Sequence, residues 1–277
     1  MGLRVTTLSE NTAEIDGFLG EWGLSILVES DDAKVLFDTG QSISTTHNAK
    51  LLGVDLSQID RIVLSHGHFD HTGGLKHVLG QIGREIEVIA HPDIWQAKYN
   101  ARQGEEPRYI GIPSSRRDLE SLGANFQLTS EPVAISESIM TSGEVPMVTD
   151  YEEIEPFLVV KDNGDFKPDT FRDDQALIIK TTTGLVVILG CAHRGIINTL
   201  YHAQKISGVK NIDTVIGGCH LMNASEERIW QTIAALREIG VGRLGPCHCT
   251  GLATSVVMAQ EFGDRFLLNN AGTVLDL

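Results

Sequence analysis

The segment Ser65-His66-Gly67-His68-Phe69-Asp70-His71-Thr72-Gly73-Gly74 packs three imidazoles and a carboxylate into six consecutive residues, 66–71. In extended backbone, residues two apart point the same way, so His66 and His68 can reach one metal ion together. Asp70 and His71 follow at a turn into a helix and can face a second ion beside the first. This donor set suits zinc first, with iron or manganese as alternatives. Gly67 lets the backbone bend between donors, and Gly73-Gly74 allows the next helix to come close. A single histidine would be read as a satisfied core or surface residue; three with an aspartate, directly after an apolar strand, read as a metal site.

Three further donor clusters stand where strands are expected to end: Gly190-Cys191-Ala192-His193, Gly217-Gly218-Cys219-His220 and Pro246-Cys247-His248-Cys249. His220 has three readings: a ligand, a general acid, or a hydrogen-bonding wall of the site. Cys219, Cys247 and Cys249 read as small apolar packing groups, since no Cys-x-x-Cys spacing supports a separate zinc site. His77 and His202 fall within helical patterns and read as solvated. His47 lies in a polar stretch before a helix, and His91 precedes Pro92 in a capping or turn position. Arg194, beside His193, and the pair Arg116 and Arg117 are candidate partners for a substrate phosphate, against the plainer reading of solvated surface charge.

The elements around these residues alternate between strand and helix patterns. Leu24–Glu29 and Lys34–Phe37 read as a hairpin, Arg61–Leu64 as a short buried strand, and Glu85–Ala90 as another. Residues 72–82 read as a helix with Leu75, Val78, Leu79 and Ile82 at helical spacing. Ala176–Lys180 and Leu185–Leu189 form a second hairpin. Ile196–Ile206, Glu226–Ile239 and Ser255–Phe262 read as helices, Phe126–Thr129 and Thr214–Ile216 as strands, and Arg243–Pro246 leads into the last cluster. Arg265–Leu268 and Thr273–Leu275 read as closing strands. Residues 91–168 hold most of the prolines and lack a clear period; they read as an insertion over the active site. Residues 1–277 otherwise read as one domain with two sheets packed together and helices outside.

The bulk properties narrow the function. The chain has 277 residues, 42% of them hydrophobic and 21% charged, as in an ordinary globular protein. Its formal net charge of −15 opposes binding to phosphate backbones. A small-molecule substrate is therefore expected rather than nucleic acid. No apolar run is long enough to span a bilayer and no signal pattern opens the chain, which points to the cytoplasm and away from membranes. The four cysteines would then be thiols or metal ligands rather than disulfides.

His66-x-His68-x-Asp70-His71, preceded by Leu36-Phe37-Asp38-Thr39-Gly40, resembles the metallo-β-lactamase superfamily in order and spacing. The resemblance implies an αβ/βα four-layer sandwich with one or two metals at its edge. It implies that His66 and His68 bind the first metal, that Asp70 and His71 bind the second, and that Asp38 orients a ligand histidine. Pro246-Cys247-His248 is similar to the family's final Pro-x-His motif, which makes His248 a ligand of the second metal. The family's bridging aspartate after Gly190 is replaced by Cys191. Either the Cys191 thiolate takes over the bridge, or His193 supplies the ligand and there is no bridge; His193 is preferred. The three C-terminal clusters, with Glu21-Trp22-Gly23-Leu24-Ser25 and Tyr109-Ile110-Gly111-Ile112-Pro113, resemble the subgroup that contains the archaeal dihydropterin–ribofuranosylaminobenzene-phosphate synthase. Two reactions fit this site, and the residues are read first as a metal-dependent hydrolase using a metal-activated water, with Asp70 and His220 as catalytic groups, on a small phosphorylated or pterin-like substrate. The alternatives are a synthase joining a dihydropterin pyrophosphate to an aromatic amine, and a non-catalytic metal or ligand sensor.

Overall fold

The structure, a computed structural model, describes residues 2–277. Two sheets form the middle. The larger has seven strands in the order Val274–Asp276, Arg4–Ser9, Ser25–Glu29, Lys34–Phe37, Arg61–Val63, Ile86–Ala90 and Ala124–Leu128. The other has five: Arg243–Cys247, Ile212–Gly218, Leu185–Leu189, Leu177–Lys180 and Ile139–Thr141. In each sheet an antiparallel part gives way to a parallel part, and the metal-donor clusters follow strands of the parallel parts.

Both faces of these strands are buried, which explains their near-continuous apolar runs. Along Leu185–Leu189, Val186 and Ile188 point into the layer between the sheets, against Ile26, Val28, Val35 and Phe37. Leu185, Val187 and Leu189 point the other way, into a layer shared with the helices Ile196–Ser207, Glu226–Ile239 and Leu252–Phe262. On the larger sheet, Leu27, Leu36 and Ile62 face the helices Ser44–Leu51 and Leu75–Ile82. Helix, sheet, sheet and helix thus make the expected αβ/βα sandwich. The helices stop and start on local chemistry: Ser225 accepts from the amide of Arg228 to cap Glu226–Ile239, and Gly240, at φ 79°, ends it.

Several sequence expectations need correction. The helix expected over 72–82 is two pieces, Phe69–Thr72 and Leu75–Ile82. The break falls at Gly73-Gly74, where a Cβ would collide with the carbonyls of Gln41 and Thr39. Arg265–Leu268 is not a strand: Gly263–Arg265 is a short 3₁₀ turn, and only Phe266 makes an isolated bridge, to Leu244. The strand Arg4–Ser9 carries no expectation at all. The stretch 91–168 is not one insertion. Ala124–Leu128 and Ile139–Thr141 are edge strands of the two main sheets, while Ala97–Asn100, Arg108–Tyr109, Leu158–Asp162 and Asp165–Pro168 form a separate four-stranded sheet beside the site. Among the described residues, no helix is long and apolar enough to cross a membrane.

Candidate metal centre

The strand Arg61–Val63 delivers the His66–His71 segment, and the strand Lys34–Phe37 beside it delivers Asp38 in a left-handed conformation, φ 59°. Asp38 is fully buried and accepts from the Ser65 amide at 2.7 Å, the Ser65 hydroxyl at 2.6 Å and His71 Nδ1 at 2.6 Å. These contacts fix tautomers. Ser65 gives its one proton to Asp38, so His66 Nδ1, 2.9 Å from the Ser65 Oγ, must be the donor there. His71 Nδ1 faces a carboxylate, and His248 Nδ1 faces the Asn11 Oδ1 at 3.0 Å, which also accepts from the Gly23 amide. All three rings therefore keep a Nδ1 proton when neutral and turn a Nε2 lone pair toward the centre.

The donors gather in two groups. Nitrogens of His66, His68 and His193 lie within 4.8 Å of one another, as do donor atoms of Asp70, His71 and His248. Cys191 Sγ forms a third group with His66 and His71, 3.1 Å from His71 Nε2, and so sits between the other two. The sequence posed Cys191 and His193 as alternatives; the structure turns both inward. The donor set fits divalent cations on a specific ground. His66 Nε2, His68 Nε2 and both ring nitrogens of His193 are buried without hydrogen-bond partners, an expensive arrangement unless another group takes the lone pairs. Burial, aided by mutual repulsion, pushes the His66, His68 and His193 pKa values well down, which keeps those lone pairs free. Burial opposes the charges of His71 and Asp70 too, but Asp38 and Asp70 lift His71 to about 9, and His71 and His248 hold Asp70 below the usual carboxylate range.

The C-terminal clusters reach the centre through sharp turns. Ala192, His220 and His248 all adopt positive φ (52°, 48° and 53°), each just beyond a strand of the five-stranded sheet. Gly190 is required, because a Cβ there would collide with Ser65. Phe171 stacks flat on His193, with ring centroids 3.9 Å apart. His220 packs against His193 at 4.1 Å, and its Nε2 lies 2.9 Å from Glu155 Oε1. Burial works against a proton on His220, but Cys249 and Glu155 raise it to about 10.

Above the donors opens a cavity of about 540 Å³. Trp22, Phe69, Phe157 and Met222 give it apolar walls, and Arg102 and Arg108 are its cationic side chains; His68, Asp70, His193, His220 and His248 form part of its lining. The arginines expected to meet substrate do not line it. Arg116 pairs with Glu120 at 2.7 Å in the helix Arg116–Ser121, and Arg117 is exposed in the same helix. Arg194 is tied to Glu144 at 3.0 Å and to the carbonyls of Val145 and Thr170; the left-handed Ala192 turns the chain, so adjacency to His193 does not carry Arg194 into the site. Cys249, expected as packing, lines the cavity and groups with Cys191 and His248. Glu155, Arg102 and Arg108 had no distinguishing signal in the sequence. Among the other histidines, His77 is exposed as expected. His202 is half-buried and meets the Ser142 carbonyl at 3.0 Å, and His47 lies within a helix, 2.8 Å from the Gly17 carbonyl. His91 caps a 3₁₀ turn by accepting from the Asp93 amide.

With this sandwich and donor set, the chain belongs to the metallo-beta-lactamase superfamily, whose family model matches residues 23–197. It is an enzyme of that superfamily, to which hydrolase and transferase chemistry are both open. Over 99% of its length and 96% of the relative's, it is 34% identical to the 7,8-dihydropterin-6-methyl-4-(beta-D-ribofuranosyl)-aminobenzene-5'-phosphate synthase of Methanocaldococcus jannaschii. A crystal structure of a metal-dependent hydrolase of the beta-lactamase superfamily matches with a TM-score of 0.87 and 31% identity, covering 99% of both chains. Zinc-bound PqqB from Methylobacterium extorquens shares the fold at a TM-score of 0.59 and 12% identity, covering 99% of this chain and 100% of that one.

Proposed function

We propose that the chain is a two-metal hydrolase that cleaves a small phosphorylated or pterin-like substrate. The observation that carries the proposal is the pair of adjacent donor groups, His66–His68–His193 and Asp70–His71–His248, at the base of a cavity with aromatic walls and two arginines. A cavity of about 540 Å³ suits one flat heterocycle with a side chain. Divalent cations held by the two groups would supply Lewis acidity at an anionic oxygen and a nucleophilic water at neutral pH.

The chain's own residues do the rest. Trp22 and Phe157 offer faces for a planar ring, and Arg102 and Arg108 offer charge-assisted bonds to phosphate oxygens. Asp38 holds the His71 ring and, through Ser65, the His66 ring, so that their Nε2 atoms are aimed before substrate arrives. Glu155 holds His220 at the cavity edge with a proton to give to a leaving group. Asp70, whose carboxylate lies 3.3 Å from His248 Nε2, stays ionised as a donor oxygen.

The full-length identity to the dihydropterin synthase supports a second reading, in which the pterin pyrophosphate is the same but an aromatic amine replaces water as acceptor. One assay separates the two. Zinc-loaded protein is given a dihydropterin pyrophosphate with and without 4-(β-D-ribofuranosyl)aminobenzene 5'-phosphate, alongside a panel of phosphoesters and lactones. Product formed without the amine supports the hydrolase, and a coupled product formed only with it supports the synthase. Turnover that survives His66→Ala unchanged rejects both.

A further inference from the structure

Beneath the three-histidine group lies a side chain that the proposed chemistry does not use. Lys98, on the strand Ala97–Asn100 of the small sheet, is fully buried. Its Nζ lies 2.7 Å from Asp169 Oδ2 and 2.9 Å from Asp173 Oδ1. Burial of an ammonium is costly unless it is paired and hydrogen-bonded, and here two carboxylates hold it charged.

Each carboxylate reaches on to the donors. Asp173 Oδ2 accepts from the Gly67 amide at 2.8 Å, which is the backbone link between His66 and His68. Asp169 Oδ1 accepts from the Phe171 amide at 2.8 Å, holding a left-handed turn at φ 46°. The Phe171 ring then lies flat on His193, meets His68 edge-on at 5.3 Å, and has the Lys98 ammonium 4.6 Å from its centroid. His193 needs this support, since neither of its ring nitrogens has a hydrogen-bond partner.

We infer that Lys98, through Asp173 and Asp169, is a positioning residue of the His66–His68–His193 metal group, beside Asp38 acting on His66 through Ser65, and does not serve the Asp70–His71–His248 group, whose rings are held by Asp38 and Asn11. The inference rests on the metal centre proposed above. It also ties that centre to the small sheet, because the same strand carries Asn100 to the cavity wall.

The test compares zinc affinities of the two groups by chelator competition. His248→Ala protein reports the three-histidine group, and His193→Ala protein reports the other. Wild-type uptake, measured first, tests the metal centre itself and stands apart from the outcome for Lys98. Lys98→Met combined with Asp169→Asn removes one charge of each sign. In the His248→Ala background it is expected to weaken zinc binding about 10–100-fold, and in the His193→Ala background by less than about threefold. A loss shared equally by both backgrounds, or absent from both, overturns the inference. If the double change prevents folding, judged by near-ultraviolet circular dichroism, Asp169→Ala alone removes the acceptor of the Phe171 amide and is held to the same selective loss.

Discussion

Asp38→Asn is expected to change how the Asp70–His71–His248 group exchanges protons for metal. Asp38 Oδ2 sits 2.6 Å from His71 Nδ1, with both side chains fully buried. In the metal-free protein the His71 pKa stands near 9, and a cation reaching Nε2 must displace that proton. At pH 7 this competition weakens apparent affinity about 100-fold, or roughly 2.7 kcal/mol. Wild-type affinity at this group should therefore gain about tenfold per pH unit from this proton as pH rises from 7 to 9, and then level off. Asparagine keeps the shape and loses the charge, so the His71 pKa should fall from about 9, with burial no longer offset by Asp38, and most of the gain should vanish. Loss of the orienting carboxylate should also lower the limiting affinity about 10–100-fold. The two effects oppose each other: the variant binds zinc more weakly by the full factor at pH 9, and within about an order of magnitude of wild type near pH 7. Chelator-competition titrations between pH 6 and 9.5, in the His193→Ala background, read this directly. A constant ratio of affinities across that range would refute the reasoning. Linkage gives an independent check. A raised histidine pKa contributes stability that is complete below pH 6.5 and lost as pH rises through 9, so the metal-free wild type should lose melting temperature over that window more steeply than Asp38→Asn.

Two other outcomes follow from the same geometry. Replacing both Arg102 and Arg108 by alanine should raise KM for a phosphorylated substrate about tenfold with kcat little changed, whereas Arg116→Ala with Arg117→Ala should leave steady-state kinetics alone. Asp174 is buried and accepts from the Arg194 amide, and burial raises its pKa to about 7. A raised carboxylate pKa means stability that is full below pH 3.8 and lost as pH climbs to 7, by roughly 4 kcal/mol at most. Metal-free Asp174→Asn should then melt above wild type at pH 8 and show no such gain at pH 4; equal melting curves at pH 8 would count against it.

What the sequence revealed was whatever is carried by local order. Six adjacent residues spell out His66 to His71, and the apolar run Leu185–Leu189 and the amphipathic pattern of Glu226–Ile239 declare their periods in a few pleats or turns. The strands of the small sheet do not. Asp165–Pro168 is exposed along its whole length, and Arg108–Tyr109 is two exposed residues, so neither bears a buried-face pattern. Arg102 and Arg108 reach the cavity only because these strands fold back over it, and in sequence they look like any solvated arginine. Arg194 misled for the converse reason: proximity along the chain suggests proximity in space, and the left-handed turn at Ala192 undoes it. Lys98 is the extreme case, since a fully buried lysine betrays itself only once Asp169 and Asp173, over seventy residues away, are seen beside it. The choice between Cys191 and His193 arose because the turn lets two side chains two residues apart serve different neighbours, which a linear reading treats as competition.

The proposed function stands on two cation-binding groups built from distant segments, and metal stoichiometry tests it most directly. Protein stripped with chelator, reloaded with zinc, desalted and measured by plasma mass spectrometry should hold two ions per chain. His193→Ala and His248→Ala should each hold one, and the two changes together none. A wild-type chain that retains no zinc, or single variants that retain as much as wild type, would contradict it.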